Sequence, residues 1–426
     1  MSFGIDPVRQ AAKGLDAGLP PSYRGRRGYS RLLLDIPIRV SISGTRGKSS
    51  LTEACEREFR ERGYQTYAKS TGTDPVSIRQ GVSHPIARPQ RPAALFDENI
   101  REIKRWWGEG LDVLVLENQA ISPYTMRVFN HRFCRPHYLL VLNVRADHMA
   151  EMGENLLMHA QAFGRSAPPG STLISGESDP ERAYQLRRAA EGVDVRFVDA
   201  SPRGIHPPGY ESLTVLDALL RAALGDGLSV PYVDRERQRL EDHFRWRRSA
   251  LPGIDWFHGA EINDIDSTRV ILRYLQRGNP RRVSFIGYFR ADRRDRTRDY
   301  VDFLGEALAA GECERVYVAG GGATAVRRRL RAWKDRIRVY YDDPEGASLL
   351  VDTVAVECRD EAVMTIVNAV PPFPRAVASA LARRGPDGAV DTEGGGGSDL
   401  SEQSDGSPAS ESAALSDDAI EPRVAQ

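Results

Sequence analysis

Residues 43–50 read Ser-Gly-Thr-Arg-Gly-Lys-Ser-Ser and lie between a short β-branched stretch and a run of helical composition. A loop in that setting presents backbone N–H groups and a helix N-terminus to phosphate oxygens. Gly44, Thr45, Arg46, Gly47, Lys48, Ser49 and Ser50 are therefore expected to cradle the phosphates of ATP. Lys48 reaches the β- and γ-phosphates, and the Ser49 hydroxyl holds Mg²⁺. The strict P-loop pattern has a glycine where Ile42 stands, so the expectation rests on the strand–loop–helix context.

Two further groups belong at strand ends. Glu117 closes the apolar strand expected over 112–116, at the carboxyl edge where open α/β sheets bind ligands, and a carboxylate there can ligate a metal. Asp147 and His148 follow the next apolar strand in the same manner, which makes them candidates beside a nucleotide site. Asn263-Asp264 lies where one αβ series passes into another, ahead of a helix that Asp266 or Ser267 can cap. Residues 290–298 carry five arginines among nine positions. As a loop at a strand's carboxyl end, with Arg290, Asp292 and Arg296 among its members, they form a site for phosphate or carboxylate.

Positioning those groups requires a layered scaffold. Strands are expected at 39–43, 64–68, 112–116 and 138–142, with helices over 48–62 and 97–108. A strand–helix–strand unit follows over 172–199 and a helix over 212–224. Apolar strands separated by helices indicate a mostly parallel sheet covered on both faces. A second, smaller doubly wound series runs from 267 to 367 and includes helices over 298–310 and 323–334. The fold class is thus α/β, divided into an N-terminal arm (1–35), a central ATP-binding domain (36–262), a Rossmann-like C-terminal domain (263–383) and a tail (384–426). The tail's Gly, Ser, Asp and Glu cannot bury enough apolar surface to offset ordering, so it is expected to be disordered.

Composition excludes several classes. The 426 residues carry 59 basic and 59 acidic side chains, a balance unlike that of a nucleic-acid binder. Cys55, Cys134, Cys313 and Cys358 show no CxxC pairing and read as reduced thiols in a cytoplasmic protein. No run approaches the roughly 18 apolar residues of a membrane span, and the first residues lack a secretory apolar stretch. Gly320-Gly321-Gly322 reads as a tight turn, and Trp106-Trp107 as a packing element.

Taken together, the blocks IPIRVSISGTRGKSSLT, GYQTYAKSTGTDP, LDVLVLEN, NVRADHMAEMG, NDIDST and FRADRRDRT resemble the Mur ligase superfamily, in its poly-γ-glutamate (capsule) synthase branch. The resemblance runs from about Ile36 to Val367. It implies a central ATPase domain and a Rossmann-like C-terminal domain closing on the substrates. It matches Lys48 and Ser49 to the family's ATP and Mg²⁺ residues, and Glu117 and His148 to positions of a second metal. Asn263 matches the adenine-side residue, residues 290–296 match the C-terminal aspartate and arginine block, and Lys69, Thr71 and Thr73 lie in a loop beside the site. The chain departs from most relatives in three ways. Ala162 stands where a carbamylated lysine is usual, no counterpart of the UDP-sugar domain is evident, and no membrane anchor opens the sequence.

The chemistry implied is transfer of the γ-phosphate to a carboxylate, followed by attack of an amine on the acyl phosphate, with glutamate or a γ-glutamyl chain as substrate. Lys48, His148, Asp292 and Arg296 are the residues implied in catalysis. Export of such a polymer implies recruitment of the chain to the membrane's inner face by a small membrane partner. A folylpolyglutamate-synthase-like amide ligase and a P-loop ATPase switch remain the alternatives. The arginine-rich second αβ series speaks against the switch, which has no need of it.

Overall fold

The computed structural model describes residues 33–71, 75–87, 95–105, 110–147, 149–260, 262, 264–277, 280–367 and 371–382. The arm before Leu33, the tail, Thr73, Trp106, Trp107, His148 and Asn263 lie outside the described residues.

The chain opens with β1 (Ile38–Ser43), α1 (Lys48–Glu61), β2 (Thr66–Lys69), β3 (Val76–Arg79), β4 (Val82–Pro85), α2 (Leu95–Arg105) and β5 (Val113–Glu117). Then come α3 (Pro123–Val128), a π-helical turn over Phe129–Cys134, β6 (Tyr138–Val141), α4 (Met149–Met152), α5 (Leu156–Arg165), β7 (Thr172–Ser175), α6 (Pro180–Glu191), β8 (Arg196–Asp199), α7 (Tyr210–Leu224) and α8 (Val230–His243). Among the described residues, eight strands form one sheet in the order β4-β3-β2-β5-β1-β6-β7-β8. From β2 to β8 every pairing is parallel, while β3 and β4 add an antiparallel hairpin at the edge. Val113–Glu117 is buried at every position, as a strand covered on both faces must be.

The alternation of β1 explains the layers. Val40 and Ile42 enter a core with Leu51, Cys55 and Phe59 of α1 and Leu216 and Leu219 of α7. Ser41 points the other way and donates to Asn130 Oδ1 at 2.7 Å, as the two-residue period of a strand requires.

The second unit comprises β9 (Arg247–Arg248), β10 (Asp255–Gly259), α9 (Ile265–Leu275), β11 (Val283–Tyr288), α10 (Arg294–Ala310), β12 (Cys313–Ala319) and α11 (Ala323–Arg329). It ends with β13 (Ile337–Val339), α12 (Pro344–Glu357), β14 (Ala362–Ile366) and α13 (Pro372–Leu381). Its sheet runs β13-β12-β11-β14-β10-β9, parallel apart from the short β9 edge. Helices α9 and α10 bury Ile271, Leu272, Tyr300 and Leu304 on one face. Helices α12 and α13 bury Leu350, Val354, Phe373 and Val377 on the other. The α/β architecture with two largely parallel sheets is therefore the one expected.

Several elements differ from the sequence reading. Helix α10 begins at Arg294 rather than at residue 298, because a helix's first turn tolerates charged residues without apolar periodicity. Helix α11 stops at Arg329 and a 3₁₀ segment over Arg331–Arg336 follows, with Trp333 at non-helical angles. The β3–β4 hairpin turns at Gln80 and Gly81, both at positive φ (48° and 80°), the geometry that suits a two-residue hairpin loop. Gly320, at φ 87°, lies in the expected turn, where an added Cβ would stand 2.6 Å from the Phe289 carbonyl.

Candidate functional site

Gly44 leaves β1 at φ 117°, and a Cβ there would stand 3.0 Å from Asn143 O and 3.1 Å from Asn143 N. Only glycine fits this approach of the loop to the end of β6. Asn143 then laces the loop in place. Its carbonyl accepts from Thr45 N (3.1 Å), its Oδ1 accepts from Arg46 N (2.9 Å), and its Nδ2 donates to Arg46 O (3.2 Å) and Glu211 Oε1 (3.1 Å). Thr45 Oγ1 accepts from Arg145 N at 2.9 Å and donates to Arg145 O at 3.2 Å. Gly47, at φ 83°, starts α1 without a side-chain cap. The first-turn N–H groups of a 14-residue helix therefore point out of its end, where the helix dipole favours anions.

Lys48 Nζ donates to the carbonyls of Gly44 (3.0 Å) and Thr45 (3.1 Å). Burial pulls its ammonium below the usual lysine range, Glu117 opposes that shift, and Arg46 adds to it. Ser49 Oγ donates to Glu117 Oε2 at 2.8 Å, and Thr71 N donates to the same oxygen at 2.8 Å. Glu117 is only 4% exposed. One buried carboxylate thus joins the P-loop hydroxyl, the loop after β2 and the end of β5. A hydroxyl and a carboxylate oxygen are hard donors, which suit Mg²⁺, an ion that keeps several waters and takes one or two protein oxygens. Among the described residues no group of three His, Cys, Asp or Glu side chains has the arrangement of a metal site.

The P-loop is also tied to the second sheet. Arg46 Nε donates to Asp264 Oδ2 at 2.7 Å, and its Nη2 lies 3.7 Å from Asp147 Oδ2. Arg145 Nη1 donates to Ser267 Oγ at 2.7 Å, and Ala146 N donates to Asp266 Oδ2 at 3.0 Å. The helix cap falls on Asp264, which accepts from Ser267 N at 2.7 Å, rather than on Asp266 or Ser267 as the sequence suggested. Asp266 is turned across the junction instead. Asn143, Arg145 and Asp264 carry much of this geometry, and sequence reasoning gave none of them a role. A polar residue directly after a strand that flanks a P-loop strand was the available signal for Asn143.

The arginine-rich segment divides. Arg290 and Asp292 form a two-pronged pair at 2.9 and 2.6 Å on the exposed surface. Neither lines the cleft beside Lys48. Arg296, on the first turn of α10, is half-buried. Burial lowers its guanidinium from the ordinary range, Arg293 and Arg46 add to the shift, and Tyr300 and Asp147 oppose it. Arg296 thus lies within electrostatic reach of Arg46 and Asp147, although, like Arg290 and Asp292, it does not line the cleft beside Lys48.

A cleft of about 240 Å³ opens beside Lys48, Thr71 and Glu117. Its lining continues through Asn118, Gln119, Met126, Met152 and Phe163. Ser43 Oγ, Asn118 Nδ2 and both polar atoms of the Gln119 amide are withdrawn from water and have no hydrogen-bond partner among the described residues. Each such group costs about 1–3 kcal/mol when left unmade.

Residues 249–384 match the family described as the poly-gamma-glutamate synthase CapB C-terminal domain. The PGA synthase CapB of Bacillus subtilis (strain 168) is 30% identical over 183 residues, 41% of this chain and 45% of that one. The capsule biosynthesis protein CapB of Bacillus anthracis is 31% identical over 299 residues, 65% of this chain and 62% of that one. The chain therefore matches about half to three-fifths of the length of these relatives. Among solved structures, the folylpolyglutamate synthase of Mycobacterium tuberculosis complexed with ADP and AMPPCP superposes with a TM-score of 0.52 at 16% identity, over 81% of this chain and 91% of that one. The α/β fold is shared with that synthase.

Proposed function

We infer that this chain, a relative of the CapB poly-γ-glutamate synthases with the fold of a folylpolyglutamate synthase, is an ATP-dependent amide ligase that builds poly-γ-glutamate. One observation carries the reading. The P-loop Lys48 and buried Glu117, which accepts from Ser49, stand in one cleft, and the cleft continues past them along a wall of mixed carboxamide and apolar side chains. A nucleotide switch needs the loop alone; a transferase needs room for an acceptor beside the γ-phosphate.

In the reaction, a carboxylate oxygen attacks the γ-phosphorus, the bond to the β-bridging oxygen breaks, and ADP leaves. An amine then attacks the acyl carbon, phosphate departs and the amine gives up a proton. Backbone N–H groups of residues 44–48 hold the phosphates, and Lys48 neutralises charge on the oxygens in transfer. Mg²⁺, when bound, screens the phosphate oxygens; Ser49 and Glu117 are the residues suited to hold it. Arg296 adds a cation from the second sheet. His148 and Asn263, outside the described residues, keep the roles implied by the family resemblance, as metal ligand and adenine-side group. Asp292 acts through Arg290, which it orients. Recruitment of the chain to the inner membrane face by a small membrane partner belongs to the same reading.

The test is whether ADP release depends on a carboxylate. With ATP, Mg²⁺ and glutamate or γ-glutamyl oligomers, hydroxylamine should capture the acyl phosphate as a hydroxamate, and Lys48→Ala should abolish both products. ADP release without any carboxylate and without hydroxamate would return the chain to the switch reading.

A further inference from the structure

We propose that the buried ion pair of Lys69 and Glu98 is a positioning pair for the metal-binding carboxylate: it fixes the end of β2 so that the Thr71 N–H holds Glu117 toward Ser49. The inference rests on the assignment of Glu117 to Mg²⁺ and goes past it to the residues that aim that side chain. Lys69 is the last residue of β2 and is fully buried. Its Nζ lies 2.8 Å from Oε1 of Glu98 on α2, which is buried in turn. Neither residue lines the cleft, so the pair acts through the backbone and not on the reacting groups. Tyr67, two residues earlier and so on the same face of the strand, packs with Ile100 and Ile103 of α2 and with Leu114 and Leu116 of β5. The ammonium and the carboxylate thus sit in an apolar layer. Glu102, one turn further along α2, pairs instead with Arg101 and Arg105.

Stability does not account for such a pair. Desolvating two ions offsets most of their attraction, and apolar side chains of similar volume fill the same layer as well or better. What an ion pair adds is direction: one depth and one register for the strand end that carries it. That direction is used two residues further on. Lys69 lies opposite Leu116 of β5, the residue before Glu117, and opposite Ser77 of β3. Ser70 N then donates to Val76 O at 2.9 Å, and Thr71 N donates to Glu117 Oε2 at 2.8 Å. The other donor to that oxygen is Ser49 Oγ, which turns about its own Cα–Cβ bond. Thr71 N belongs to the backbone and does not turn, so it decides where Oε2 lies. Any slip of the end of β2 carries this N–H with it.

The experiment is calorimetric titration of the full chain with ADP, with and without Mg²⁺. The double variant Lys69→Met with Glu98→Leu replaces the ions by apolar groups of similar size and should melt close to wild type. Its affinity for metal-free ADP should be that of wild type. The gain in affinity that Mg²⁺ brings should fall about tenfold, the scale of one lost bond to a charged group. Amide exchange at Thr71 should quicken by about the same factor. Glu98→Gln keeps the shape of the side chain and serves where the double variant folds poorly; it should lower the Mg²⁺ gain about threefold. A pair that only packs α2 on β2 would move Tm and leave the Mg²⁺ gain untouched. An Mg²⁺ gain unchanged in both variants, while Glu117→Gln loses it, overturns the positioning role and leaves Glu117 at the metal. A gain that survives Glu117→Gln overturns the metal assignment and this inference with it.

Discussion

Replacing Glu117 by Gln preserves its shape and removes only its charge, which separates the two things this side chain does. Its Oε2 accepts from Ser49 Oγ and from Thr71 N, each at 2.8 Å. A Gln carbonyl oxygen in the same place keeps both bonds. Bonds to a charged group contribute about 1.5–3 kcal/mol, against about 0.5–1.5 kcal/mol for neutral ones. Two bonds each weakened by about 1 kcal/mol give a loss of about 2 kcal/mol. Relief from desolvating a buried carboxylate offsets part of this, so the net loss is about 1–2 kcal/mol, or a few degrees in Tm for a domain of this size. Glu117 is also the leading influence that raises the Lys48 pKa, so the variant's Lys48 should titrate lower still. The functional loss should be far larger than the structural one, on the order of 10²-fold in ligation. Calorimetric titration with ADP, with and without Mg²⁺, isolates the cause. The variant should bind metal-free ADP as wild type does and lose the gain that Mg²⁺ brings. Ligation within threefold of wild type, or an undiminished Mg²⁺ gain, would refute the assignment of Glu117 to the metal.

Gly44→Ala places a Cβ 3.0 Å from a backbone carbonyl at a φ of 117°. The strain and the contact together should cost on the order of 2–4 kcal/mol, seen as a lower Tm and weaker ATP binding by calorimetry; an unchanged Tm would show that the loop can move off β6. Arg296→Ala should lower ligation on the order of 10²-fold with Tm little changed, whereas Asp292→Ala should leave Tm unchanged and cost ligation only a few-fold. Equal losses at the two positions, in the same ADP-release assay, would mean that the Arg290–Asp292 pair swings into the cleft.

The residues legible in the sequence were those whose function follows from local order. The P-loop and Glu117 announce themselves because a strand's end must lie at the sheet's carboxyl edge, whatever the rest of the chain does. Asp264 was not legible in this sense, because its partner Arg46 is 218 positions away and only the packing of two sheets joins them. Asn143 was hidden by its type, since an amide after a strand reads as an ordinary turn residue until the loop that it laces is seen. Helix α8 was missed because it buries none of its residues, so no apolar period marks it. The π-helical turn at Phe129–Cys134 was missed for the opposite reason. Its Phe129, Asn130, Phe133 and Cys134 are all buried, which blurs a single apolar face. The β3–β4 hairpin is short, and its outer strand is mostly exposed.

One carboxylate carries two duties that its removal loses together. Asp264 caps α9 through Ser267 N and, through its other oxygen, holds the Arg46 guanidinium of the P-loop at 2.7 Å. Removing it uncaps the helix, at about 1 kcal/mol, and releases the arginine in the same stroke. A survey of variants scored for folding and another scored for nucleotide affinity should therefore both single out this position, and neither score alone would reveal which duty had failed. Only the pairing of Asp264→Asn with Arg46→Lys, measured as a cycle, separates the cap from the bridge.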